Sequence, residues 1–344
     1  MSRRSRLALP LITALLAAGC SPASTPDPDP ATSTPGRATP TLGSTPTPTS
    51  TTATPTTASS DPSPSPSASP TKSSAPKGST LPRGGRTLFP DYRLVGYAGL
   101  TGATTLGRLG TGPLDQRVRE LERRAKPYAA GREIQPVLEI IASVVQGSPG
   151  ADGKYRSRIS DRQIATYLKA ARKHKALLLL NIQPGRSEFI IEAKAYQKWL
   201  QEPDVGVALD PEWAMDKGQR PGAAYGHTTG AELDRTARYL SRLVQRHNLP
   251  EKVMVYHQVS VSVVRRESGL KAHPGVAVIK SVDGLGPPGP KVNTYRVVNR
   301  TTPKHVHPGF KLFFTEDRRG KTGRLMTPRE VLALKPRPEY VMYE

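Results

Sequence analysis

The chain is poor in cysteine, in aromatic residues and in acid. It has one Cys in 344 residues, which excludes an intramolecular disulfide framework and a cysteine-based zinc cluster. No stretch reaches the roughly 18 consecutive apolar residues that a spanning helix needs. Every Trp, Tyr and Phe lies after residue 86. Residues 21–86 instead hold 15 of the 35 prolines and almost no aliphatic side chains, so this segment cannot bury a core. What is left is a leader at 1–20, a tether at 21–86 and one unit, 87–344, long enough to fold on itself.

The leader opens on Arg3, Arg4 and Arg6 and continues in an apolar run from Leu7 to Ala18, interrupted by Pro10. Small residues follow, ending in Leu16-Ala17-Ala18-Gly19-Cys20. A positive start, a short apolar run and a small-residue end make a secretory signal. With the only Cys at the boundary between small and polar residues, this end of the chain resembles a bacterial lipoprotein, although Ala17 stands where that family usually carries Leu. The resemblance implies that Cys20 is lipidated and becomes the mature N-terminus. The chain is then held at the extracytoplasmic face of a membrane by acyl chains worth about 0.8 kcal/mol per buried CH₂. A plain secretory signal with an incidental Cys20 is the alternative. After it, repeats such as Thr45-Pro46-Thr47-Pro48 favour extended polyproline II, and the tether can reach up to about 200 Å. Its serine and threonine also permit O-glycosylation.

Beyond residue 86 short apolar runs alternate with amphipathic stretches. Strands are expected at 94–99, 134–142, 176–183, 205–212, 253–258, 276–283, 310–316 and 340–343. Helices are expected at 113–128, 160–173, 189–200, 230–247 and 328–334, with Ser160 as an N-cap. Continuous apolar strands such as Leu177-Leu178-Leu179-Leu180 separated by helices predict a parallel sheet covered by helices. Eight strands in this length fit a single α/β domain of the (β/α)₈ TIM-barrel type. The doubly wound alternative needs a G-x-G-x-x-G turn after its first strand, and Gly99 to Gly112 does not supply that spacing.

In such a barrel the chemistry sits at the C-terminal strand ends. The residues found there are Tyr97, Glu139, Asn181, Gln183, Asp210, Glu212, Trp213, Tyr256, His257, Gln258 and Asp283. Asp210 and Glu212 are the sharpest pair. Two apart on a strand, they share a face roughly 6.5–7 Å apart, and each charge raises the proton affinity of the other. One can stay protonated as a general acid while its neighbour stays ionised. Glu139 and Asp283 are secondary carboxylates. Tyr97, Asn181, Gln183, Trp213, Tyr256, His257 and Gln258 are expected to line a substrate cleft, with Trp213 offering an apolar face to a sugar ring. No helix carries a zinc-type spacing, and neither a metal nor another cofactor is expected.

The Asp210-Pro211-Glu212 block resembles the strand ends of chitinase-like and muramidase-like barrel glycosidases, in which the Glu protonates the leaving oxygen and the Asp positions or stabilises charge. Val205 and Ala208 stand where the chitinase run has its two earlier aspartates. The domain also looks like a group of uncharacterised exported barrel proteins with an L-D-P-E block, here Leu209 to Glu212, and a Y-H-Q block, here Tyr256 to Gln258. This second resemblance implies fold and location more than activity, whereas the resemblance to the glycosidases implies a carbohydrate-active enzyme of the glycoside hydrolase kind. The alternative is a non-catalytic envelope lipoprotein that binds wall glycan or a protein partner. Residues 87–344 carry 42 Lys+Arg against 25 Asp+Glu. For an exported monomer this excess suits wall polysaccharide or another envelope polyanion rather than nucleic acid.

Overall fold

A computed structural model describes residues 80–344. The leader with Cys20 and the tether up to residue 79 lie outside the described residues. The domain is a closed barrel of eight parallel strands with helices between them. The strands are β1 (Tyr92–Gly99), β2 (Glu133–Val145), β3 (Leu177–Ile182), β4 (Val205–Leu209), β5 (Lys252–Gln258), β6 (Val276–Val282), β7 (His307–Leu312) and β8 (Tyr340–Tyr343). Around the barrel they run β1-β8-β7-β6-β5-β4-β3-β2, and β1 pairs with β2 to close the ring. The (β/α)₈ expectation is met.

Strand periodicity builds two cores. Side chains of one parity, including Leu94, Val137, Leu179, Ala208, Val255, Ile279 and Met342, fill the barrel interior. The other parity packs outward against α1 (Leu114–Ala125), α2 (Asp161–Lys173), α3 (Phe189–Ala195), α4 (Gln197–Leu200), α5 (Gly230–His247), α6 (Pro288–Val298) and α7 (Pro328–Leu332). Ser160 caps α2 in a reciprocal capping box with Gln163. Helix α6 was not anticipated, because Pro287, Pro288, Gly289 and Pro290 read as loop. Proline is tolerated in a first helical turn, where backbone N–H groups lack partners anyway. The β5–β6 connection carries a short 3₁₀ turn, Glu267–Gly269, in place of a helix.

Residues 80–86, assigned by composition to the tether, belong to the folded unit. Leu81 and Leu88 are buried in the barrel-interior cluster beside Tyr92. Arg86 donates to the Leu249 carbonyl at 2.8 Å, and the Leu88 N–H donates to Glu251 at 2.7 Å. Those partners precede β5, so this segment closes the N-terminal end of the barrel and leaves the opposite end open. No helix among the described residues is long and apolar enough to cross a membrane.

Candidate active site

Five expected residues come together at the open end. Gln183, Asp210, Glu212, Trp213 and Asp283 line a cavity of about 130 Å³ with Ile141, Tyr225, Phe313, Lys311 and Glu344. Strand β4 stops at Leu209 rather than at Glu212, because Pro211 has no N–H to give the ladder. The chain turns into a 3₁₀ segment, Pro211–Trp213. The two carboxyls therefore do not sit on one face of a strand, yet both reach the cavity. The backbone of Glu212 is pinned: its carbonyl accepts from the Gly226 N–H at 2.7 Å. A side chain at Gly226 would bring its Cβ within 2.1 Å of the Ala214 oxygen, so only glycine permits that approach.

Beneath the cavity lies a chain of buried charges. His257 Nδ1 is 2.8 Å from Asp283, and its Nε2 is 3.0 Å from Glu139 Oε1, an ion-pair distance without hydrogen-bond alignment. Asp283 also accepts from Ser281 at 2.8 Å and meets Lys311 Nζ at 3.2 Å. Lys311 in turn reaches Glu344 Oε2 at 2.6 Å. Tyr340 donates to Glu139 Oε2 at 2.5 Å. Asn181 links the chain to the cavity, donating to Glu139 at 3.1 Å and to Asp210 at 2.9 Å, and Gln183 donates to Asp210 at 3.3 Å.

Protons are divided accordingly. Burial works against the ionised forms of Glu139 and Asp283, but the His257 and Lys311 charges outweigh it and hold both carboxyls below their usual range. Burial works against charged His257 and Lys311 too, and the facing carboxylates push both well above their ordinary values. Burial raises Asp210, with the Glu139 charge adding to it. Glu212 is pushed up to about 8 by burial first, then by the charges of Asp210 and Asp283. Its Oε2 is buried and has no hydrogen-bond partner. The cavity thus holds a neutral carboxylic acid at Glu212 above the ionised Asp283 and Glu139, the division of labour that acid/base chemistry needs.

The remaining expected residues are placed elsewhere. Glu139, Asn181 and His257 are fully buried beneath the cavity and act on it only through Asp210 and Asp283. Tyr97 and Tyr256 point out of the barrel. Tyr97 bonds Glu120 and Arg124 of α1, and Tyr256 bonds Glu267 at 2.6 Å. Gln258 has the same outward parity as Tyr256, and its amide donates to the Ser260 carbonyl. Alternation of side chains along a strand makes these corrections necessary: if Glu139 and His257 face inward, Tyr256 and Gln258 cannot. Lys311 and Glu344 were missed. Strand β7 starts at His307, three residues before its expected start, and Lys311 stands between Phe310 and Leu312 as Glu139 stands between Leu138 and Ile140. A charge inside an apolar strand was the available signal.

Among the described residues no group of three or more His, Cys, Asp and Glu side chains is arranged to hold a metal ion. No protein-family model and no curated protein sequence matches the chain.

Proposed function

We propose that this is a lipid-anchored envelope protein whose barrel hydrolyses a glycan, with Glu212 as the general acid/base and Asp210 as its electrostatic partner. One observation carries the reading: a buried carboxyl, its Oε2 without a hydrogen-bond partner and its proton affinity pushed up to about 8 by burial and by Asp210 and Asp283, lines a cavity walled by Trp213, Tyr225 and Phe313. A carboxylic acid that is neutral at pH 7 can give a proton to a leaving glycosidic oxygen, and aromatic walls suit the apolar face of a sugar ring. Asp210, with both oxygens held by amides, lies close enough to shape the charge that Glu212 experiences. Cys20 supplies the anchor and the Pro/Ser/Thr tether the reach, which places the barrel on the extracytoplasmic side near wall polysaccharide.

The test is release of sugar from isolated cell-wall glycan by the full chain. Glu212→Gln abolishes release while pull-down on the same glycan persists. If the unaltered protein frees nothing from any glycan offered but still binds one, the non-catalytic lipoprotein reading replaces this one. For the anchor, Cys20→Ser moves the protein from the membrane fraction to the soluble fraction; unchanged membrane partition would refute lipidation at Cys20.

A further inference from the structure

The geometry points to Glu344 as the second working carboxyl of the site, standing across the cavity from Glu212. This rests on the hydrolytic reading above and extends it to a carboxyl on the wall opposite Asp210.

Three observations separate Glu344 from Asp210. The first is position. Glu212 follows β4, and Glu344 directly follows β8. Those strands are four apart in either direction around the eight-stranded ring, so they form opposite walls. Asp210 follows the same strand as Glu212 and stands on the same wall. A cavity lined by both Glu212 and Glu344 therefore has one carboxyl on each side of whatever enters it.

The second is availability. Both Asp210 oxygens already accept hydrogen bonds, from Asn181 and Gln183, and the side chain is 6% exposed. Glu344 commits only Oε2, to Lys311, and its side chain is 21% exposed. Its Oε1 has no hydrogen-bond partner among the described residues, and burial, with the charges of Asp210 and Asp283, raises the carboxyl's proton affinity against the pull of Lys311. Lys311 keeps a positive charge beside the carboxylate without covering it.

The third is the surrounding shape. Glu344 also lines a second depression of about 410 Å³ that shares Leu285 and Phe313 with the first. It stands where the two meet, so a chain-like ligand lying through both would pass it. Its backbone is fixed to β7, with its N–H donating to the Leu312 carbonyl and its carbonyl accepting from the Phe314 N–H, each at 2.9 Å. Gly107 packs against its stem: a Cβ there would lie 2.9 Å from Glu344 Cγ.

The step uses water as co-reactant. Glu344 takes a proton from a water molecule as that oxygen bonds to the anomeric carbon. The glycosidic C–O bond breaks, its electron pair passes to the leaving oxygen, and that oxygen takes the proton of Glu212. Glu344 ends protonated and Glu212 ionised, and exchange with solvent restores both.

The experiment compares the full chain with Glu344→Gln, Glu344→Ala and Glu212→Gln on isolated peptidoglycan and on a panel of aryl glycosides, with thermal unfolding of each variant as a check on folding. Loss of Glu344 lowers kcat by about 10³-fold, the scale of a positioned general base. Added azide restores turnover to Glu344→Ala, where it fits the vacated space and attacks the anomeric carbon, and the product is a glycosyl azide. It does not restore Glu344→Gln. A merely structural role for Glu344 would give no azide product. If the unaltered chain is active and both Glu344 variants stay within tenfold of it, this assignment is wrong while the hydrolytic reading stands. If the unaltered chain hydrolyses nothing, both fall.

Discussion

Glu212→Gln should make the protein more stable at neutral pH while removing its proposed activity. The folded chain holds this carboxyl at about 8 against an ordinary 4.5. Between those values the unfolded chain has released the proton and the folded chain keeps it. The folded state then binds more protons, so stability is greatest below the ordinary value and falls as pH rises, by about 1.4 kcal/mol per pH unit. By pH 7 the accumulated loss is about 3 kcal/mol, and it levels off once pH passes the folded value. Glutamine resembles the protonated acid in shape but cannot ionise, so the variant escapes this loss. Urea unfolding followed by Trp199 and Trp213 fluorescence at a series of pH values reads the effect. The two proteins should unfold together near pH 4 and diverge steadily up to pH 8, with the variant about 3 kcal/mol more stable at pH 7. Parallel curves across that range, or a variant less stable at pH 7, would mean that Glu212 is ionised in the folded protein, and the reasoning fails. A group kept in an environment that opposes its charge is a cost the fold bears for chemistry rather than for stability.

Two further substitutions follow. Lys311→Met removes the buried counter-charge of Glu344 and leaves Asp283 with His257 alone, and should cost about 3–5 kcal/mol in urea unfolding; a loss below 1 kcal/mol would show that the pairing is not maintained. Tyr97→Phe removes hydrogen bonds to Glu120 and Arg124 in the helix layer, so it should cost roughly 1 kcal/mol of stability and leave glycan binding unchanged. Weakened binding at unchanged stability would return Tyr97 to the cleft.

The barrel was legible because its signals are local and repeated. Leu177 to Leu180 can only be a strand covered on both sides, and the helices between strands carry their own caps and apolar stripes. Asp210 and Glu212 were legible as a pair, although Pro211 bends the chain in a way the strand reading overlooked. Tyr97 and Tyr256 were misplaced because a strand end was treated as one location. Neighbouring residues on a strand face opposite ways, and Ala98 and His257 had the inward positions. Lys311 and Glu344 were missed for a different reason. Their role depends on closure of the ring, which brings β8 opposite β4 with β7 beside it, and no sequence distance encodes that neighbourhood.

At neutral pH Glu212 should hold a proton in the open cavity. Infrared difference spectroscopy between the unaltered protein and Glu212→Gln reads this directly through the carbonyl stretch of a protonated carboxylic acid. This band should be present at pH 7, absent from the variant, and titrate away near pH 8. A Glu212 carboxyl already ionised at pH 6 would contradict it.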